Sequence, residues 1–129
     1  MEIVHKPWGY YTVLDRSSYP NNDIWTYKVK RLSVAPGGRL SLQSHASRDE
    51  HWVVVSGYPT VTIDNDITVL SENGYVFIPA GKKHRLENFT DGWIHIIETQ
   101  YGSYLGEDDI VRYDDIYNRI PEYTGKSER

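Results

Sequence analysis

The sequence predicts an all-β domain, a sandwich or a closed barrel, on three observations. Turn signals recur at short intervals: "SSYPNND" (17–23), "APGG" (35–38), "SGYP" (56–59), "DND" (64–66), "ENG" (72–74), "PAGKK" (79–83) and "NFTDG" (88–92). The runs between them are short and rich in β-branched and aromatic residues, which favour strands. No helical pattern of ~10–15 residues separates them, as a parallel sheet would require.

The first expected strand is "IWTYKVKRLSV" (24–34), where Lys28 and Lys30 share a face. The second is "RLSLQSH" (39–45), with Arg39, Ser41, Gln43 and His45 on one face and Leu40 and Leu42 on the other. The third is "HWVVVSG" (51–57). Its parity sets Glu50, Trp52 and Val54 together, opposite His51, Val53 and Val55. A polar turn at Ala46–Asp49 joins the second and third strands as a hairpin, and the three valines are expected to wall the site behind it. Shorter strands follow at "PTVTID" (59–64), "ITVL" (67–70), "YVFIP" (75–79) and "HRLEN" (84–88), then a longer one at "WIHIIETQ" (93–100). The acidic start of "GEDDIVRYDDIYNRI" (106–120) suits a short helix near the end of the chain. A calcium loop would need spaced acids before a glycine, and that pattern is absent here.

At 129 residues the chain suits one domain, taken as 1–129. Charged residues are 25% and the net charge is −4, so no basic excess drives binding to nucleic acid or to an acidic membrane. There is no cysteine, which removes disulfides, thiolate ligands and cysteine nucleophiles. No apolar run reaches the ~20 residues of a membrane span. The first residues, "MEIVHKPWGYY", are too polar for a secretion signal. A cytoplasmic protein is expected.

The chemistry concentrates in "QSHASRDEHW" (43–52). A turn after His45 brings Glu50 back beside Gln43 and His45, and the turn Pro79–Gly81 redirects the chain so that His84 supplies a fourth group. Imidazoles with oxygen donors suit one divalent transition metal ion: Mn, Co, Zn, Ni or Fe.

The spacing Gly37-x5-Gln43-x-His45-x4-Glu50-x6-Gly57 resembles the first motif of the cupin superfamily (37–57), with Gln43 in the place of the first histidine. Pro79-x-Gly81-x2-His84-x3-Asn88 matches the second (74–88), although Gly74 lies one residue closer to the proline than that motif asks. The resemblance implies a cupin jelly-roll β-barrel with Gln43, His45, Glu50 and His84 on one metal. A closer likeness runs from Lys6 to Arg119, through "KPWGYYTVLD", "VFIPAGKKHRLEN" and "IIETQYGSYLGEDDIVRYDDIYNR". These stretches are similar to the type II mannose-6-phosphate isomerase domain, usually the C-terminal part of a bifunctional enzyme with mannose-1-phosphate guanylyltransferase. That family has Gln in the place of Gln43. The chain departs from it at Ala46–Ser47, where two more histidines are common, and at Asn118, where Gly is usual. The guanylyltransferase part is absent from this sequence, so nucleotide-sugar synthesis is not implied.

The resemblance implies a metal-dependent aldose–ketose isomerase acting on a sugar or sugar phosphate. A different metal-dependent cupin enzyme, such as a dioxygenase or a lyase, and a non-catalytic metal- or sugar-binding cupin are the competing readings. An isomerase needs a base that reaches the C1/C2 proton. Glu98 has the parity to face the cavity, and Lys30 would serve if burial lowered its pKa. Arg119 matches a family arginine associated with activity. Phosphate calls for cations: Arg39, on the ligand face, and Arg48, in the ligand turn, are candidates. Trp52 is a candidate wall against a sugar ring, and His51 is read as packing or interface. Small cupins commonly pair, so a homodimer is expected.

Overall fold

The computed structural model describes residues 2–17 and 26–117. Eleven strands appear there in the order β1 (Glu2–Lys6), β2 (Gly9–Arg16), β3 (Thr26–Val34), β4 (Leu42–Ser44), β5 (Arg48–Ser56), β6 (Thr60–Ile63), β7 (Asp66–Val69), β8 (Tyr75–Ile78), β9 (His84–Glu87), β10 (Ile94–Gly102) and β11 (Val111–Asp114). They form two antiparallel sheets, β1-β2-β3-β10-β5-β8 and β11-β4-β9-β6-β7. One apolar cluster lies between them, drawing Trp8, Val34, Trp52 and Ile96 from the first sheet side and Val61 and Leu86 from the second.

The register of the central strands positions the site. Across β3, β10 and β5, the row Leu32–Ile96–Val54 is apolar, and the next inward row is Lys30–Glu98–Trp52. The row beyond it is Lys28–Gln100–Glu50. Every second residue faces inward, so three strands that start apolar and turn polar divide the interior into an apolar half and a polar half. Burial follows this parity in β5: Glu50, Trp52 and Val54 are buried, whereas His51, Val53 and Val55 are exposed. Only Val54 of the three valines walls the interior. Val53 and Val55 face outward beside Tyr75 and Phe77 of β8, and the exposed His51 ring lies 4.6 Å from that of Phe77.

Three expectations are corrected. The hairpin of β1 and β2, in register Val4↔Tyr11, lies where no strand was expected. The run "YYTVL" carried the signal; Tyr11 and Val13 enter the core from it, and Trp8 from the turn before it. No helix forms in 106–117: residues 107–108 turn and β11 pairs with β4 through Val111↔Ser44 and Arg112↔Gln43. The open edge of β4 offers this segment a ladder, and Asp109, read as a helix-start acid, instead accepts hydrogen bonds from the Ala46 and Ser47 N–H groups at 2.9 Å each. Residues 118–120 of the expected helix lie outside the described residues. Finally, β4 and β5 belong to different sheets. The segment between His45 and Glu50 crosses from one sheet to the other and is not a hairpin turn.

The motif glycines have a backbone reason. Gly37, Gly57 and Gly81 take φ of +78°, +92° and +87°, where a side chain is strained. From its turn, the Gly81 N–H donates to the His45 carbonyl at 2.8 Å, so the second motif is fastened to the first.

Candidate metal centre and adjoining cavity

Three buried residues converge: His45 just after β4, Glu50 within β5 and His84 at the start of β9. One ligand atom from each lies within 4.8 Å of the others. His45 Nε2 is 3.3 Å from Glu50 Oε2, and His84 Nε2 is 3.8 Å from Glu50 Oε1. The far side of each ring is fixed by a carbonyl. His45 Nδ1 lies 2.7 Å from Asp109 O, and His84 Nδ1 lies 3.0 Å from Lys82 O. A carbonyl only accepts, so each Nδ1 carries a proton and each ring turns its Nε2 toward Glu50, the atom that offers a lone pair to a cation when the ring is neutral.

Arg48 and Trp52 surround the carboxylate. Arg48 Nε donates to Glu50 Oε2 at 2.9 Å, and its Nη2 donates to His45 Nε2 at 3.1 Å. Trp52 Nε1 donates to Glu50 Oε1 at 2.9 Å and to Glu98 Oε2 at 3.2 Å. Trp52 therefore joins two carboxyl groups from below, with its ring edge-on to His84, and does not line the open cavity. Gln100 Nε2 donates to the other Glu98 oxygen at 2.9 Å.

The two carboxyls divide their roles. Burial alone would raise Glu50, but the Arg48 guanidinium, the two neighbouring histidines and the Glu98 hydrogen bond together outweigh it and hold this carboxyl well below the usual range. Glu98 is pushed up to about 8 by burial and by the Glu50 charge beside it, against the pull of Lys30. Glu50 thus keeps its charge, and Glu98 carries a proton near neutrality. Burial brings His45 down to about 4 despite Glu50, so its imidazole is neutral.

These donors fit a divalent ion. Ligand atoms each ~2.1 Å from one metal lie at most ~4.2 Å apart, a spacing that small side-chain shifts give. A bound ion would take the His45 lone pair that Arg48 Nη2 now uses. Gln43 is the cross-strand partner of His84. Its amide nitrogen is held by Ser41 Oγ at 3.0 Å, which leaves Oε1 as the end that suits a cation.

A cavity opens beside the cluster. Gln43, Arg48 and Glu98 lie between the two, and Lys6, Lys30, Gln100, Glu107 and Arg112 complete its polar wall. Lys30 is buried, with Nζ 2.6 Å from Glu107 Oε2 and 4.0 Å from the centre of the Tyr11 ring. Arg48 opens β5 and is buried, not in a turn as its position in the sequence implied. Arg39 is not brought to the site. Its Nε donates to Glu87 Oε2 at 2.6 Å and its guanidinium lies over Phe89, because regular alternation fails before β4 begins at Leu42. Arg119 lies outside the described residues. Sequence reasoning passed over Gln100, Glu107 and Asp109. Strand parity with Glu98 identifies Gln100; Glu107 and Asp109 reach the site across 77 and up to 64 residues of chain, with no local pattern.

Residues 1–115 match the family described as "Mannose-6-phosphate isomerase C-terminal". The chain belongs to this family. Among its relatives, the alginate biosynthesis protein AlgA of Pseudomonas syringae pv. tomato is 48% identical over 116 residues, covering 90% of this chain and 23% of that protein. Mannose-1-phosphate guanylyltransferase of Escherichia coli K12 is 47% identical over 117 residues, covering 91% of this chain and 23% of the enzyme. The chain thus spans about a quarter of the length of these relatives. In fold it is like the capsular polysaccharide assembling protein CapF of Staphylococcus aureus, with a TM-score of 0.70 at 18% identity over 88% of this chain and 32% of that one. The Schizosaccharomyces pombe Cnp3 cupin domain aligns with a TM-score of 0.63 at 12% identity over 72% of this chain and 64% of that one. The family member described here is an all-β, cupin-like domain with two antiparallel sheets.

The opposed shifts of Glu98 and His45 give a pH signature. Folded Glu98 holds a proton from 4.5 to about 8 that the unfolded chain releases, so its contribution falls as pH rises through that window. Folded His45 stays neutral between about 4 and 6.5, so its contribution is lost as pH falls through that window. Between 6.5 and 8 only the Glu98 slope remains. Metal-free protein should lose about 2 kcal/mol over that interval, from one proton at about 1.4 kcal/mol per pH unit. The Glu98→Gln variant should be flat there. Urea titrations at several pH values measure both, and equal slopes would refute the assignment.

Proposed function

We propose that this domain is a metal-dependent sugar-phosphate aldose–ketose isomerase, similar to the type II mannose-6-phosphate isomerase domain. The observation that carries the reading is the pair Glu50 and Glu98. One carboxyl is charged within a His–Glu–His cluster, and the next holds a proton at the wall of a cation-lined cavity. The family match and the sugar-related names of the relatives support the substrate class.

His45, Glu50 and His84, with Gln43 Oε1, would hold one divalent ion, which supplies electrophilic stabilisation of adjacent sugar oxygens. The chain's own residues do the rest. Ionised Glu98 takes the proton from C2 and returns it to C1 while the hydroxyl proton passes from O2 to O1, and a pKa near the working pH suits both directions. Trp52 and Gln100 hold the carboxyl in place. Lys30 and Arg48 supply positive charge for the phosphate.

The test is isomerisation of mannose 6-phosphate by the purified chain with stoichiometric Mn, Co or Zn, followed in D2O. Deuterium entering at C2 of recovered substrate, and its loss in Glu98→Gln, are expected. A competent, metal-loaded protein that exchanges no deuterium would overturn the reading, and iron as the retained metal would favour oxygen chemistry. The homodimer stands as a proposal beside this one, and light scattering of the purified chain tests it.

A further inference from the structure

Glu107 stands out among the groups around the cavity. It sits in the turn at 107–108, between β10 and β11, and its side chain is 49% exposed. Its carboxylate nevertheless reaches inward to two lysines of β3, at 2.6 Å from Lys30 Nζ and 3.8 Å from Lys28 Nζ. Lys30 is only 3% exposed. Nearby, Arg48 Nη1 is buried and finds no hydrogen-bond partner among the described residues, although Arg48 is 6% exposed and lines the same cavity. Two lysines of β3 thus meet one carboxylate, and Arg48 of β5, across the intervening β10, lines the same cavity with a donor to spare.

A buried ammonium on a sheet is fixed by the ladder. A half-exposed carboxylate in a turn is not, and it reaches water by rotating its own side chain. The flanks of the turn are fastened independently. The Ser103 N–H donates to Ser47 O at 3.1 Å, and Asp109 holds the Ala46 and Ser47 N–H groups. Glu107 can therefore leave without unfastening the loop.

We propose that Lys28, Lys30 and Arg48 form a subsite for a phosphate-type oxyanion, and that Glu107 occupies it as an internal competitor in the free chain. An incoming dianion brings more charge and more acceptor oxygens than one carboxylate, and it can use Arg48 Nη1 as well. The carboxylate keeps buried Lys30 paired when the cavity holds only water, and it rejects neutral sugars, which cannot displace it. This deepens the proposed function by naming the anchoring group and its gate, and it rests on that reading only for the identity of the ligand.

The experiment titrates inorganic phosphate into the full-length chain by calorimetry at low ionic strength, for wild type, Glu107→Gln, and Glu107→Gln with Lys30→Met. If the free carboxylate fills the subsite in about nine molecules of ten, its removal should tighten phosphate binding about tenfold. The added Lys30→Met should cancel that gain. Lys28→Ala in the Glu107→Gln background gives a second, partly exposed position should the Lys30 variant fail to fold, and it should also weaken binding. Unchanged or weaker binding in Glu107→Gln would overturn the proposal, because Glu107 would then be a prop for the lysines and not a competitor. A gain that survives both lysine variants would place the phosphate elsewhere and overturn it too. Phosphate binding is read without turnover. A chain that gains phosphate affinity but isomerises nothing sinks the isomerase reading alone; one that isomerises without the gain sinks this one.

Discussion

Glu50→Gln should lower affinity for Mn, Co or Zn by more than the ~10–100-fold typical of losing an outer-shell partner, because the substitution removes a ligand outright. Glu50 is the one carboxylate of the His45–Glu50–His84 cluster, and both imidazoles turn Nε2 toward it. Glutamine keeps the shape and an acceptor for Trp52 Nε1, but it contributes no charge to offset that of the ion. His84→Ala should fall in the same range. Dialysis against a chelator, elemental analysis and competition titration give the constants. Stoichiometric metal retained by both variants would show that the three residues form a polar network and no metal centre.

Arg48→Met should destabilise the metal-free protein by about 3–5 kcal/mol near pH 7.5, the usual cost of stranding one member of a buried ion pair. Arg48 and Glu50 are both buried, and the guanidinium is the largest of the influences that keep the Glu50 carboxyl low. The sign with pH follows. Without Arg48, burial raises the folded pKa of Glu50 above its unfolded value, so the folded state holds a proton that the unfolded state releases. The variant should therefore recover part of its loss as pH falls toward 5. Urea unfolding at the two pH values measures this. A change below about 1 kcal/mol at both would mean that the pair is dispensable.

How far these residues were legible in the sequence depends on how local the cause is. Alternation in 50–56 put Glu50 and Trp52 inward and His51 outward because a strand has a two-residue period, and the structure has that pattern. Motif spacing brought His45, Glu50 and His84 together because positive-φ glycines fix the turns around them. Arg39 went astray because alternation was extended across residues that form no regular strand. The helix expected over 106–120 is absent from 106–117 for a related reason. Its acidic start read as local propensity, whereas Asp109 is used by backbone N–H groups far away in the chain. The turn after His45 looked like a hairpin because a chain that reverses within one sheet and one that changes sheets carry the same polar residues.

The stacked rows across β3, β10 and β5 have a consequence for how such a domain can change over time. Leu32, Ile96 and Val54 hold the sheets together one row away from Lys30, Glu98 and Trp52, and no side chain of the first row is asked to do chemistry. Residues that share no partners tend to contribute independently to stability. The reactive half can accordingly be rewritten, with one acid, base or cation exchanged for another, while the scaffold half stays as it is. Tolerance for new substrates is built into the order of residues along three strands.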